Sequence, residues 1–110
     1  MSKKITTWMP FYVGDYLKDT RHLTTEQHGA YDLLIMEHWN AGSLPDDDGM
    51  LARLSKLTPA RFAKHSAILR GFFYPDGGRL FHKRVLRELE LAKDKQAKAS
   101  ESANKRWGNK

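Results

Sequence analysis

Three basic side chains on one short segment have the types and spacing best suited to binding a polyanion. Arg61, Lys64 and His65 follow one another at helical spacing, so a helix would place them on one face. Guanidinium, ammonium and imidazole groups on such a face can contact phosphates and the edges of bases. The alternative is a solvated amphipathic surface, because exposed helix faces are commonly charged.

Further basic residues flank a predicted β-hairpin and occur near the end of the chain. Arg79 lies at the predicted hairpin tip, and Lys83 and Arg84 lie at its base. These positions suit contacts with backbone phosphates, which contribute affinity but carry no sequence information. Lys105 and Arg106, in the basic C-terminal segment, would add non-specific attraction. Together with the three helix residues they are the predicted nucleic-acid-binding residues.

The distribution of charge favours the same class of partner. Residues 1–48 contain four lysines and arginines against eight aspartates and glutamates, a net charge of −4. Residues 49–110 contain the other fifteen against five, a net charge of +10 within a total of +6. A basic half of this size suits a polyanion, and nucleic acid is the first candidate. Basic tails and charged helix faces are common, so charge alone does not decide the question.

Three consecutive aspartates, Asp46–Asp48, could bind a cation or begin a helix. A calcium-binding loop needs ligands at alternate positions and a bidentate glutamate at its twelfth position, which this segment lacks. Consecutive residues on a helix also diverge by about 100° and cannot easily converge on one ion. Free amides and the helix dipole favour carboxylates at a helix start, so we predict a capping role.

No residue pattern for catalysis, cofactor binding or metal binding appears in the sequence. Cysteine is absent, which excludes disulfides and thiolate chemistry, and no Gly-Lys-Ser/Thr phosphate loop occurs. His28 and Asp32 form an i,i+4 pair that we predict to lie on a helix surface. We therefore predict a protein that is not an enzyme, with a nuclease-like enzyme as the most distant alternative. The five histidines show no ligand spacing: His22, His28, His38, His65 and His82.

Two short helices joined by a tight turn are predicted to position the basic face. Thr58 and Pro59 suit the cap and first position of the second helix, where the missing proline amide is harmless. Only three or four residues separate the two helices, which is the length of a helix-turn-helix turn. The predicted apolar residues are Met50, Leu51, Leu54 and Leu57 around the first helix, and the second helix is predicted to bury Phe62, Ser66 and Leu69.

A β-hairpin is predicted directly after these helices. Its strands cover Phe72–Tyr74 and Arg79–Lys83, around the turn Pro75-Asp76-Gly77-Gly78. Proline fixes one φ angle and the paired glycines accept positive φ, so this turn chemistry is strong. The predicted fold is therefore α+β, mostly α, and winged helix-turn-helix-like with one β-hairpin wing.

An apolar helix precedes these elements and is predicted to form the core. Thr24 and Gln27 have the spacing of a capping box at its start, and Gly42 is placed to end it. Residues 8–17, before this helix, are aromatic-rich. Pro10 there favours an extended segment or edge strand, whose aromatic side chains would cover the core or stack on bases. The predicted apolar residues of the helix are Tyr31, Leu33, Leu34, Ile35, Met36 and Trp39.

We predict one winged-helix-like domain over residues 1–92 and a basic, flexible tail over residues 93–110. The apolar pattern continues through Val85, Leu86 and Leu89 and stops near Ala92. No apolar stretch approaches the roughly 20 residues needed to cross a bilayer. We therefore expect a soluble, cytoplasmic protein with no membrane partner.

The sequence from Trp8 to Ala92 resembles a domain family of unknown function that is widespread in phages and prophages. Members occur in short prophage proteins and near the start of longer proteins that look like phage replication initiators. The resemblance implies a winged-helix-like fold and a role in phage DNA replication, and it implies no catalytic residues or ligand. It rests on Phe11-Tyr12, Asp15-Tyr16-Leu17, Asp19-Thr20, Gly29-Ala30-Tyr31, Trp39 and the hairpin segment FFYPDGGRLFHKR.

Two functions fit these observations. The first is a non-enzymatic DNA-binding module that acts in replication initiation or its control, with DNA as partner and no cofactor. The alternative is a protein-interaction module, either a homodimer or an adaptor that recruits replication proteins such as a helicase or its loader. The acidic first half and the aromatic N-terminal segment favour the alternative, and exposure of Trp8, Phe11 or Tyr12 would strengthen it.

Overall fold

The computed structural model describes the backbone of residues 12–108 and the side chains of residues 12–99. This part of the chain forms five helices and one three-stranded antiparallel sheet, so the predicted mostly helical α+β class is confirmed. The elements are α1 (Val13–Thr20), α2 (Thr25–Ala41), β1 (Leu44–Pro45), α3 (Asp48–Leu54), α4 (Pro59–Arg70), β2 (Tyr74–Asp76), β3 (Arg79–Phe81) and α5 (Lys83–Gly108).

Helix α2 begins and ends where the sequence predicts. The Thr24 side chain accepts from the Gln27 backbone N–H, and the Gln27 side chain accepts from the Thr24 backbone N–H, which completes a capping box. Gly42 ends the helix with φ 93°, in the left-handed region that favours glycine. These local signals therefore fix both ends of α2, which contributes more buried apolar side chains than any other helix in the described part of the chain.

The two short helices predicted after α2 are present as α3 and α4, separated by a short turn. Asp47 caps α3 by accepting from the Met50 N–H at 2.9 Å, which confirms the capping role predicted for the aspartates. Thr58 caps α4 in the same way, with Pro59 at its first position. Within the turn Lys56 has a φ of 64°, an uncommon backbone conformation for a lysine.

The hairpin is shorter than predicted and belongs to a larger sheet. Gly77 and Gly78 form its two-residue turn with φ 58° and 78°, the angles that a tight hairpin turn requires. The return strand ends at Phe81, and the prediction that it reaches Lys83 is wrong, because Lys83 already begins α5. Strand β1, which the sequence did not reveal, pairs with β3, so the strand order is β1-β3-β2.

The core lies where α2 meets the other elements. Leu34, Leu44, Leu69 and Leu80 are almost completely buried and come from α2, β1, α4 and β3 respectively. Met36 is 59% exposed, so its prediction as a core residue is wrong. The other buried apolar residues are Leu23, Ala30, Tyr31, Ile35, Leu51, Ala52, Phe62, Val85 and Leu89.

The aromatic segment before α2 differs from its prediction. From Val13 onward it is helix α1, not an extended segment, and Pro10 lies outside the described residues. The Tyr16 hydroxyl donates to the Asp32 carboxylate on α2, and the Thr20 hydroxyl donates to the Tyr16 carbonyl. The bond to Asp32 holds α1 against α2, whereas the bond from Thr20 lies within α1. A tertiary contact such as the first overrides a weak local preference for extended backbone.

Helix α5 continues well past the predicted boundary at residue 92 and reaches Gly108. The backbone of residues 93–108 is therefore helical, while the division into a domain and a flexible tail stays a prediction. None of the helices in the described part of the chain is long and apolar enough to cross a membrane.

Candidate nucleic-acid interface

The exposed face of α4 is the centre of the predicted interface. Lys64 is exposed there and makes no ion pair with any described residue. Around it the helix surface consists of Ala60, Ala63 and Ala67, with Ile68 at 41% exposure. Small side chains allow the backbone of a helix to approach a binding partner closely. This face therefore presents one unpaired cation on an otherwise small and apolar surface.

Arg61, the second predicted contact, is exposed but already has a partner. Its Nη2 lies 2.8 Å from the Glu26 Oε2 on α2, and its Nε donates to the same oxygen at 3.0 Å. The hydrogen bond from Arg61, followed by that from His65, lowers the pKa of the Glu26 carboxyl below its usual range. The Arg61 side chain is 54% exposed, so it remains accessible to solvent.

His65, the third predicted contact, does not lie on the exposed face, and that part of the prediction is wrong. It is only 8% exposed, between α4 and the start of α2. Its Nε2 contacts the Glu26 Oε1, and its Nδ1 lies 3.0 Å from the Gln27 Nε2. Helical spacing does place it beside Arg61, but the start of α2 packs over this side of α4 and buries it.

The hydrogen-bond network identifies the tautomer of His65. The Thr24 N–H donates to the Gln27 Oε1, so the Gln27 amide nitrogen is the atom that faces His65. An amide nitrogen can only donate, so the His65 Nδ1 accepts and its proton lies on Nε2. That Nε2–H then donates to Glu26, and the capping box of α2 is coupled to α4 through one histidine.

A further arginine, which the sequence analysis did not single out, holds the other end of α4. Arg70 donates to the Asp46 carboxylate at 2.6 Å and to the Asp48 carboxylate at 2.9 Å. The hydrogen bond to Asp46 is the main reason that the pKa of this guanidinium is raised. The three consecutive aspartates therefore divide two roles, since Asp47 caps α3 while Asp46 and Asp48 bind α4. No spacing rule in the sequence connects residues so far apart.

Arg79 lies beside the hairpin turn, opposite Asp76 on the neighbouring strand. Arg79 Nε donates to the Ser43 Oγ at 2.9 Å, and the guanidinium also approaches the Ser43 carbonyl at 3.4 Å. The residue itself is exposed. A serine hydroxyl leaves the positive charge uncompensated, so Arg79 stays available to an anion in a way that an ion-paired arginine does not.

Lys83 and Arg84 lie in the first turn of α5 and not in a strand. Arg84 donates to the Asp15 carboxylate of α1 at 3.0 Å, and its guanidinium carbon lies 5.5 Å from the centre of the Tyr12 ring. Lys83 is exposed and makes no ion pair with a described residue. The two residues therefore lie beside α1. The side chains of Lys105 and Arg106 lie outside the described ones.

Two histidines that carry no sequence signal join the hairpin to α2. The His82 backbone N–H donates to the His38 Nε2 at 3.0 Å, so the proton of His38 lies on its Nδ1. The His82 Nε2 lies 2.9 Å from the Tyr31 hydroxyl. Burial lowers the pKa of His38, lowers the pKa of His82 to about 4 and raises the pKa of Tyr31 to about 12. All three groups are therefore neutral near pH 7.

A small cluster of Tyr16, His28 and Asp32 joins α1 to α2. The Tyr16 hydroxyl lies 2.9 Å from the His28 Nδ1 and donates to Asp32, and burial together with Asp32 raises its pKa. The predicted His28–Asp32 pair is therefore part of a helix contact, not only of a helix surface. No three histidine, aspartate or glutamate side chains within the described residues are grouped as metal ligands.

Comparison with known proteins gives a family but no function. Residues 7–90 match the model of a family described as a protein of unknown function, DUF1376. The chain is 38% identical over 93 residues to the uncharacterized protein YdaU of Escherichia coli (strain K12). The match covers 84% of this chain and 32% of YdaU, so the chain spans about a third of the length of this curated relative. No solved structure matches the chain.

Proposed function

The chain belongs to the DUF1376 family of proteins of unknown function, and we propose that it is a non-enzymatic module that binds duplex DNA through a winged helix-turn-helix. The observation that carries this proposal is the order and pairing of the elements from α2 to β3. Helix, strand, two helices and a hairpin follow one another, with β3 between β1 and β2. In winged helix-turn-helix proteins the second helix of the turn commonly enters a DNA groove.

The surface of α4 supports this role through its shape as well as its charge. Lys64 lies among alanines, and small side chains let a helix lie deep in the major groove, where base edges are accessible. Arg61 is engaged by Glu26, but exposed ion pairs contribute little to stability. A DNA phosphate can therefore take the place of the Glu26 carboxylate without a large loss.

The hairpin and α5 would supply the phosphate contacts. Arg79 carries an uncompensated charge beside the hairpin turn. Along α5 the exposed cations include Lys93 and Lys95, which make no ion pair with a described residue. Lys105 and Arg106 continue this basic helix in the sequence. Contacts of this kind give affinity that depends strongly on salt, because each neutralised phosphate releases counterions.

The test is the salt dependence of duplex binding, measured by fluorescence anisotropy with the full chain and single charge-removing variants. We expect Lys64→Gln and Arg79→Gln each to weaken binding severalfold and to reduce the log–log salt slope by about 0.9. Lys18→Gln, which removes an exposed lysine of α1, is the matched control and should leave both quantities unchanged.

Binding that does not respond to salt would contradict the phosphate contacts. Equal losses in Lys64→Gln and Lys18→Gln would contradict the role of α4, because a merely non-specific attraction senses any removed charge alike. A double variant, Lys105→Gln with Arg106→Gln, measures how much the C-terminal segment contributes to the affinity for duplex DNA. If that variant alone abolished binding, the winged helix would not be the DNA-binding part.

A role in the initiation or control of phage DNA replication is part of the same proposal. It rests on the resemblance to the phage and prophage domain family, whose members look like parts of replication initiators, and on no contact in the structure. A replication assay with the full-length relative, comparing the wild type with the change equivalent to Lys64→Gln, would test it.

A protein-interaction module is the second candidate, and a specific observation favours it. Val13 and Leu17 are one helical turn apart on α1 and are 59% and 52% exposed, and the adjacent Tyr12 is 49% exposed. Contiguous exposed apolar side chains usually mark a contact surface. Exposure of Tyr12 was the expected sign of such a module, and Trp8 and Phe11 lie outside the described residues.

This candidate predicts that replacing Leu17 changes association. If the chain is a homodimer in sedimentation equilibrium, Leu17→Ser should weaken the dimer at least tenfold. The matched control is Met36→Ser, which removes an equally exposed apolar side chain from α2. Unchanged association in Leu17→Ser would remove the α1 face as a homodimer interface.

A further inference from the structure

A groove between α1 and α5 has no part in the interface centred on α4. Its volume is about 440 Å³, and it is open to solvent along one side. Three cations, two carboxylates and one aromatic ring line it, a composition that differs from the small, mainly apolar face of α4. The lining side chains are Tyr12, Asp15, Lys83, Arg84, Arg87 and Glu88.

Within the groove, one arginine is fixed against a tyrosine ring. Arg84 donates to the Asp15 carboxylate at 3.0 Å and lies 5.5 Å from the centre of the Tyr12 ring. The Asp15 carboxylate is therefore already engaged by a hydrogen bond, and a cation–π contact holds the Arg84 guanidinium near the Tyr12 ring. Tyr12 nevertheless remains 49% exposed, so part of the ring is open to another planar group.

The other two cations have no such structural task. Lys83 and Arg87 are exposed, lie one turn apart on the same face of α5, and make no ion pair with any described residue. Glu88 is the only lining carboxylate that Arg84 does not already engage through a hydrogen bond. The groove therefore combines an open aromatic ring with unpaired positive charge a short distance away.

We propose that the groove between α1 and α5 binds a nucleotide unit, with the base stacked on Tyr12 and the phosphate held by Lys83 and Arg87. Stacking on an aromatic side chain beside a basic track is how proteins bind single strands without sequence preference. The volume of the groove admits one such unit. The proposal rests on the proposed function only in taking nucleic acid as the ligand class, because its residues differ from those of α4.

The nucleotide can come from a single strand or from solution, and the experiment separates the two sources. The full chain is titrated with thymidine 5′-monophosphate, with an eight-residue thymidine oligonucleotide, with thymidine and with inorganic phosphate, while ¹H–¹⁵N spectra are recorded. We expect the first two probes to shift the amide signals of Lys83, Arg84 and Arg87, and to bind at least tenfold more tightly than the last two. Tighter binding of the oligonucleotide identifies a strand, and equal binding identifies a free nucleotide.

Two variants test the assigned residues. Arg87→Gln and Tyr12→Leu should each weaken binding of the oligonucleotide about five- to tenfold, while circular dichroism and the melting temperature remain those of a folded chain. Lys18→Gln, which removes an exposed lysine that does not line the groove, is the control, and it should leave oligonucleotide binding unchanged. Inorganic phosphate binding as tightly as the mononucleotide, or wild-type affinity in Arg87→Gln, would overturn the proposal.

The duplex-binding experiment shows whether the groove proposal or the proposed function has failed. If Lys64→Gln weakens duplex binding and Arg87→Gln does not affect the oligonucleotide, the groove proposal alone fails. If no duplex binds but Arg87→Gln weakens oligonucleotide binding, the winged-helix proposal alone fails and the groove proposal stands. Equal effects of both variants on both ligands would overturn the separate groove, because they would indicate one shared surface.

Discussion

The two ends of α2 are held by histidines in opposite ways. Near its start, His65 of α4 joins Gln27 and the Glu26 carboxylate, which also binds an exposed arginine. Near its end, His38 joins only the neutral partners around His82. The first contact carries charge at the edge of solvent, and the second is buried and uncharged.

This difference separates the two contacts by the pH at which each is lost. Burial lowers the pKa of His82 to about 4. Protonation therefore opposes the second contact once the pH drops below the pKa of an ordinary histidine. The hydrogen bonds from Arg61 and His65 lower the pKa of Glu26. This carboxylate therefore stabilises the fold until the pH falls below the pKa of an ordinary glutamate. The hairpin junction is therefore the first to weaken in acid.

Removing His38 should have the largest effect on stability. The side chain is 0% exposed and its Nε2 accepts the His82 N–H. His38→Ala leaves a cavity and an unpaired buried amide, and we expect a loss of about 3–5 kcal/mol in the free energy of unfolding. Urea unfolding measures it, with Met36→Ala on the same helix as the exposed control. A loss below about 1 kcal/mol would mean that the junction does not support the fold.

The pH dependence of stability should be the next largest effect. Between pH about 6.5 and about 4 the unfolded chain binds a proton at His82 and the folded chain does not. Stability is therefore complete above pH about 6.5 and falls as the pH decreases through this window, by up to about 3 kcal/mol. Urea midpoints at half-unit pH steps measure the slope.

Replacing His82 with glutamine should flatten that slope without removing the loss at lower pH that comes from Glu26, whose carboxyl pKa is held below its usual range. Glu26→Gln should leave the slope between pH about 6.5 and 4 unchanged and should remove the contribution of Glu26 to the loss at lower pH. If His82→Gln left the slope between pH about 6.5 and 4 unchanged, another group would be responsible. His38, whose pKa burial also lowers, is then the group to examine.

Removing His65 should cost less than removing His38, because its network reaches solvent. His65→Leu preserves the packing volume but leaves the Gln27 amide without its acceptor, and we expect a loss of about 2 kcal/mol. Lys64→Ala, one residue away and exposed, is the control. Gln27→Leu alone should also be costly, because it removes the acceptor of the Thr24 N–H. The loss in the double variant should therefore be smaller than the sum of the two single losses, since the hydrogen bond between the two side chains is then counted only once. Strictly additive losses would argue against that hydrogen bond as the cause.

The sequence predicted those features of the fold that depend on neighbouring residues. The capping box at Thr24, the caps at Asp47 and Thr58, and the glycine turn at Gly77 and Gly78 all depend on contacts within a few positions. Hydrogen bonds of this range are encoded by residue type and spacing. The order of α2, α3, α4 and the hairpin followed from the same local signals, whereas α1 and β1 did not.

The features that the sequence did not predict depend on contacts between distant residues. β1 is only two residues long and exists because Leu44 pairs with Leu80. His65 was assigned to an exposed face by helical spacing, which cannot show that α2 packs over it. Arg70 donates to Asp48, 22 positions away in the sequence, and Arg84 donates to a carboxylate 69 positions away. Their pairing follows from the packed fold and not from a pattern along the chain.

Arg70 gives the smallest expected effect and completes the comparison, because it holds α4 by charge with no histidine involved. Its side chain is 32% exposed, and the side chains of its partners Asp46 and Asp48 are 32% and 65% exposed. Water and salt screen such pairs, so Arg70→Gln should cost only about 0.5–1 kcal/mol. In about 1 M NaCl the difference from wild type should shrink, whereas that of His65→Leu should persist. A salt-independent loss as large as that of His65→Leu would mean that Asp46 and Asp48 hold α4 as firmly as the start of α2 does. Solvent exposure would then not be the reason that the charged contacts and the neutral contacts differ in strength.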